Sequence, residues 1–405
     1  MMTTTQLRGS SFLLAARALL ACALACGVAL GVAPRAGADE IRVKPYDDLT
    51  KLARTAKPGD TVHLYPGAFP ASVIQGVRGE PGRPITFRNV PSVRFPAEFN
   101  ARNAPYGLRL VDCAHVRLEN IAISDANGTG LLIEGESAPT VDISLDQIRV
   151  SRGTESADYC GIVVRNASQV RATRLSVGGW GAAAIRITRT DDATFETLQF
   201  VAQPGLANRH CVEVLDGSSR VSISRAWMRN SLGSAFAVGT APGARVAGCE
   251  ISSIRADGCH GLLDIGSVGG LRVRECTSKD TKGHLWAVSA RAGEAPAEGS
   301  IESCVFTWTP GEVTALTPVA DGASASGIAL DGVLVWSREL AAGATNLGEI
   351  AGTARTPVVR DLDPLLDEAG YATEPRAAKL GLQRTRPKGA AAPAEPAPPP
   401  PGIAK

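Results

Sequence analysis

The sequence predicts an all-β chain wound into a single-stranded, right-handed parallel β-helix, and three observations carry that prediction. Ile121, Ile148, Leu175, Leu198, Ala226, Cys249, Cys276 and Cys304 anchor one recurring motif at separations of 27, 27, 23, 28, 23, 27 and 28 residues, a period typical of stacked supersecondary units. Apolar or small residues stand five and three places before each anchor, as in Val116 and Leu118 or Val221 and Ile223, which is strand spacing with a period of two. So short a repeat leaves no room for a crossover helix in each turn, and 43 glycines and 26 prolines suit many tight bends.

Inward positions are odd before the anchor and even at and after it, so the strand must turn a corner just ahead of the anchor. A third apolar strand follows in most repeats: Leu131 to Ile133, Ile162 to Val164, Ile185 to Ile187, Val212 to Val214 and Phe236 to Val238. Three short strands per turn, stacked about 4.8 Å apart, give continuous inward ladders. On this reading Cys249, Cys276 and Cys304 share one slot in successive coils and form a buried column.

Residues 1–38 read as a secretory signal: Arg8 and Arg17, an apolar run from Ala18 to Ala33, and Ala36-Gly37-Ala38 before Asp39. Leu19-Leu20-Ala21-Cys22 offers the lesser alternative of a lipoprotein signal. The expected destination is secreted, periplasmic or cell-envelope, with no membrane-spanning run in the mature chain. Loss of Cys22 and Cys26 with the signal leaves seven cysteines, an odd number that cannot all pair within one chain. Asp47-Asp48-Leu49, with Leu52, Ala53 and Ala56, predicts a short amphipathic helix capping the open edge of the first coil. The β-helix with its cap is assigned to 39–340 and a closing segment to 341–383. The Ala/Pro-rich stretch 384–405 is too poor in core residues to fold and is expected to be a disordered tail.

Lys57-Pro58-Gly59-Asp60-Thr61-Val62-His63-Leu64-Tyr65-Pro66-Gly67-Ala68-Phe69, followed by Gly79-Glu80-Pro81-Gly82-Arg83-Pro84-Ile85-Thr86-Phe87, resembles the opening of pectin-lyase-like right-handed β-helix proteins, the group that includes chondroitinase B and alginate lyase-type enzymes. Asp363-Pro364-Leu365-Leu366-Asp367 to Gly381 is similar to the closing segment of bacterial members. The resemblance implies a polysaccharide substrate on an outer strand face. It also implies a lysine base, an arginine on the next coil and, in some members, calcium. Arg291 falls near that arginine, whereas Val268-Gly269-Gly270 stands where the lysine would be.

Variable segments follow each anchor, and insertions on one edge of a solenoid build its binding face. The outward positions beside that edge read as one row: Glu134, Arg165, Arg186, Glu213 and Asp264. Loops feeding the same strands carry His210, His260 and His284. Histidine, carboxylate and arginine together could take a proton from a sugar acid and neutralise its carboxylate, so Arg291, His260, His284 and His210 are the catalytic candidates. Arg165, Arg186, Glu134, Tyr159 and Trp180 are the substrate-binding candidates. Glu213 with Asp264 is the candidate calcium pair, no other cofactor being implied. Cross-coil Arg/Glu pairs would equally serve to steady the stack, and Tyr159 and Trp180 could equally plug loops.

A net charge of +2 and 5% aromatic residues argue against nucleic acid as a partner. Glu213 and Asp264, two coils or roughly 10 Å apart, are marginal for glycoside hydrolysis. The expectation is an exported, monomeric protein that binds an acidic polysaccharide and, if an enzyme, cleaves it as a lyase or otherwise as a glycosidase. The alternative is a non-catalytic envelope or surface protein.

Overall fold

Seven successive turns of the chain each bend at two residues of left-handed backbone, five positions apart. The pairs His115/Asn120, Asp142/Gln147, Gln169/Arg174, Asp192/Thr197, Arg220/Arg225, Gly248/Ser253 and Gly270/Glu275 all have φ between 49° and 71°. After each bend the side-chain alternation restarts with an apolar residue pointing inward, the change of parity visible in the sequence.

The computed structural model describes residues 38–90, 96–151, 156–243, 245–289, 297–341, 349–356 and 358–360, together with 363, 364, 366 and 374. These form a parallel β-helix of three ladders. The first runs from Glu40–Val43 paired with Thr61–Leu64 to Thr353–Ala354 paired with Ala329 and Leu330, beyond the boundary expected at 340. The second contains the anchors, from Gly67–Phe69 to Leu334–Trp336. The third begins at Ser72–Gln75 and ends at Trp286–Val288. The strands Cys160–Gly178 and Ala183–Val201 pass through all three ladders without a break.

Inward residues stack into columns. Ile143, Val170, Ala193 and Val221 form one, each at most 1% exposed. Full burial of such a side chain stabilises by about 1.5–3 kcal/mol, and each rung provides what its neighbours need in order to be dry. The anchor column corrects the sequence reading at one position. Ala226 is followed by Ile254, not Cys249, and then by Cys276 and Cys304. Cys249 pairs with Val221 in the preceding column. Both slots follow a left-handed residue, Gly248 in one case and Ser253 in the other, so a five-residue slip preserves the local pattern.

At the start, Asp48 caps the helix α1 (Leu49–Ala53) by accepting a hydrogen bond from the Lys51 amide at 3.0 Å. Leu49 and Ala53 are buried, and the Thr50 hydroxyl donates to the Val73 carbonyl at 2.8 Å. In the turn before Thr61, Asp60 accepts from the amides of Lys57 and Asp39. No helix among the described residues is long and apolar enough to cross a membrane. The expected signal, most of the closing segment and the expected tail lie outside the described residues.

Candidate functional site

The third ladder brings together residues as far apart in sequence as His210 and His284, 74 positions. His210, Ser234, Gly261 and His284 occupy one outward slot on four successive rungs. Glu213, Ala237, Asp264 and Ala287 occupy another, three residues further along. His260 precedes Gly261, and its amide bonds to the carbonyls of Ser231 and Gly233.

Asp264 is the hub. Its Oδ1 lies 2.7 Å from His284 Nε2 and accepts from the Ser234 hydroxyl at 2.8 Å. His210 Nδ1 lies 3.8 Å from Oδ2, too far for a hydrogen bond, and is buried without a hydrogen-bond partner among the described residues. The His260 ring meets that of His284 edge-on, with centroids 5.1 Å apart and planes at 82°. Glycines make the space. A Cβ at Gly261 would fall 2.7 Å from His284 Nε2, and one at Gly283 would fall 2.1 Å from His260 Cε1.

Burial pushes the Asp264 carboxyl up, but hydrogen bonds from His284 and Ser234 and the neighbouring histidine charges outweigh it and hold the pKa below 3.8. Burial also disfavours the charged form of His260, and repulsion from His284 adds to it, so its pKa lies below 6.5 despite Asp264. Asp264 is therefore ionised and His260 neutral near pH 7. The contact with the ionised Asp264 carboxylate places a proton on His284 Nε2. The Ser234 hydroxyl donates to the same carboxylate oxygen and lies 3.2 Å from His284 Nε2, but it is fully buried and so closed off from a substrate.

The other sequence candidates are placed differently. Glu134 and Arg165 share one slot, while Arg186, Glu213 and Asp264 share another two residues earlier, so the expected single row is two rows. Glu134 is only 1% exposed, held between Arg109 at 2.6 Å and Arg165. Arg186 Nε donates to Glu213 at 2.5 Å. Tyr159 and Trp180 are completely buried, which removes them as stacking surfaces; they plug the coil beneath the loops. Arg291 lies outside the described residues. Glu213 and Asp264, the candidate calcium pair, stand on the rungs either side of Ala237, one engaged by Arg186 and the other by His284 and Ser234. No group of three or more His, Cys, Asp or Glu side chains among the described residues converges on a metal position. Sequence reasoning missed Ser234 and Arg109. Ser234 could have been found as the slot-mate of His210 once the rungs were in register.

No protein-family model matches the sequence. No curated protein matches it either. Solved structures do match in fold. A GH136 lacto-N-biosidase from Eubacterium ramulus superposes with a TM-score of 0.56 at 10% identity, over 80% of this chain and 68% of that one. The pectate lyase Pel9A gives 0.52 at 12% identity, over 84% and 86%. A variant of the PL6 family alginate lyase AlyGC gives 0.50 at 12% identity, over 86% and 57%. The likeness is one of architecture, and by its three parallel ladders and these superpositions the chain has the pectin-lyase-like parallel β-helix fold.

Proposed function

We propose that the chain is an exported carbohydrate-active protein that binds an acidic polysaccharide along the third ladder and cleaves it by β-elimination. The observation that carries this reading is the cluster of His260, His284 and Asp264 on the edge where the variable loops collect. Carbohydrate-acting proteins of the same fold support it at the level of architecture. His260, exposed and held neutral, takes the proton α to the sugar carboxylate. Asp264 fixes the His284 ring beside it, and His260, now protonated, returns that proton to the leaving glycosidic oxygen. Arg209, exposed and two rungs from His260 along a chain of backbone hydrogen bonds through Gly233, attracts the uronate. Arg186 and Arg165, each partly exposed while bound to a carboxylate, extend the cationic flank for neighbouring sugars.

The test is incubation with a panel of polyuronides and neutral glycans, following unsaturated-product absorbance and new reducing ends, for the native chain and for His260→Ala. Absorbance that rises only on polyuronides and vanishes in the variant is the expected result. Reducing ends without absorbance would replace elimination by hydrolysis. A second reading, a non-catalytic envelope or surface protein, is favoured by the way Glu134 and Glu213 are neutralised by arginines on adjacent rungs. It predicts glycan or protein binding with neither product.

A further inference from the structure

Away from the histidines, a cavity of about 340 Å³ opens beside the far end of the second ladder. Register explains its walls. Ser278 pairs with Phe306 and Thr307 with Trp336, so Lys279, Thr307 and Trp336 take one slot on three consecutive rungs. Lys279 and Trp336 therefore stand two rungs or about 10 Å apart. The Trp336 ring is partly buried against Val305 and Leu334 and lines the cavity. Trp308 lines it too and is only 3% exposed. Its indole N–H donates to Glu339 at 2.6 Å, and the Gly311 amide donates to the same carboxylate at 3.0 Å. These bonds fix the indole before anything binds.

Charge decides what the cavity can take. Lys279 and Arg338 bring it two cations, and Asp280 and Asp363 two carboxylates. Lys279, Asp280 and Arg338 have no ion pair among the described residues, whereas Arg186, Arg220, Arg225 and Arg274 are each held by a carboxylate from an adjacent rung. One rung before Lys279 in the same slot, Asp257 is taken up by Arg255 and by the Trp227 indole N–H. A simple anion would meet Asp280 and Asp363, and a simple cation would meet Lys279 and Arg338, so neither is favoured. A sugar ring suits both signs: each hydroxyl donates and accepts, and the C–H face of the ring lies against an indole. The volume is near the lower end of the roughly 300–1,000 Å³ usual for small-molecule sites, room for one ring and too little for an extended chain.

We propose that this cavity is a second sugar-binding site, taking a single pyranose ring with Trp336 against its face and Lys279, Asp280 and Arg338 on its hydroxyls. It is separate from the histidine cluster yet near it. His284 follows Lys279 by five residues, so their Cα atoms lie at most about 18 Å apart. A glycan end or branch held in the cavity would thus present the rest of the molecule at the edge where the cluster stands. The inference does not need cleavage. A chain inactive on every glycan would still bind the ring, and a chain that cleaves glycan without using the cavity would refute this site alone.

The full chain, isotopically labelled, is titrated with glucose, galactose, mannose and N-acetylglucosamine, and separately with inorganic phosphate and with spermidine. Indole N–H signals are followed by NMR, that of Trp336 being identified by its loss in Trp336→Phe. At least one sugar should shift the Trp336 signal, in the millimolar range expected of so small a ligand, and leave that of Trp227 in place. Asp280 and Arg338 are exposed, and Asp280 sits at φ 53°, which asparagine tolerates. Asp280→Asn and Arg338→Gln should therefore keep the unfolding midpoint of the native chain while each weakens sugar binding by about tenfold. No shift of Trp336 with any of the four sugars overturns the proposal. So does sugar binding that moves only the His260 and His284 signals, or that is equally tight in both variants. Phosphate or spermidine shifting Trp336 as strongly as the best sugar would make the cavity a simple ion site and overturn the proposal too.

Discussion

Gly261 lies directly under the ring of His284: a Cβ there would come within 2.7 Å of His284 Nε2 and 2.8 Å of the Ser234 hydroxyl. The absence of a side chain at one rung is thus what lets a histidine on the next reach back to a carboxylate and a serine. Gly261→Ala is expected to displace His284 from Asp264 and to cost about 1–3 kcal/mol from overpacking. Histidine titration by NMR, alongside denaturant unfolding, reads both effects. Unchanged titration curves and an unchanged unfolding midpoint would show that the ring does not occupy this gap.

The two shifted groups of the cluster give separate pH windows. His260 has a folded pKa below 6.5, so the unfolded chain binds more protons as pH falls past 6.5, and stability drops from there down through the folded value. Asp264 has a folded pKa below 3.8; its contribution is intact above 3.8 and is lost as pH falls through its folded value. Urea midpoints measured from pH 8 to pH 3 should therefore decline in two stages, the upper one missing in His260→Gln. Glycan cleavage should have an acid limb below pH 6.5 set by His260. A limb centred above 6.5 would point to another base.

Much of this architecture is legible in the sequence because it is written in local spacing. Period-two alternation and a parity change at each bend are properties of a few adjacent residues, and they locate the ladders without any knowledge of the partners. Register is a weaker signal. Gly248-Cys249 and Ser253-Ile254 present the same left-handed residue followed by an inward one, and only pairing with the neighbouring rungs decides between them. The histidines are legible for the same reason as the strands, since they recur at one place in the repeat. Ser234 is not, because a serine among apolar strand residues looks like any solvated position until Asp264 is laid over it. Tyr159 and Trp180 belong to loops, where burial depends on how the loop folds back, and spacing carries no record of that.

The corners offer a test of the backbone account. Thr197 is exposed, β-branched and held at φ 57°, a conformation that crowds its Cβ against the carbonyl. Asparagine tolerates this region better, so Thr197→Asn should stabilise by ~0.5–1 kcal/mol, seen as a higher urea midpoint with an unchanged slope. A loss of stability would mean that the threonine side chain makes a contribution larger than its strain.

Glu134 and Arg165 separate stability from binding. The Glu134 side chain is 1% exposed and bonds Arg109 and Arg165 at once, whereas the Arg165 side chain is 45% exposed. Removing the acid leaves Arg109, itself only 22% exposed, with Glu136 as its remaining carboxylate, so Glu134→Ala is expected to cost about 1.5–3 kcal/mol. Removing the outer cation exposes the carboxylate to water and should cost less than ~1 kcal/mol. Leu132, two residues before Glu134, lies five rungs from Asp264, about 24 Å, so neither change should disturb the histidine titrations. If Arg165 also guides a polyuronide along the ladder, Arg165→Ala will weaken retention on an immobilised acidic glycan while leaving the unfolding midpoint nearly unchanged. Equal retention would confine Arg165 to the stack, and the binding face would then begin no further from the cluster than Arg186.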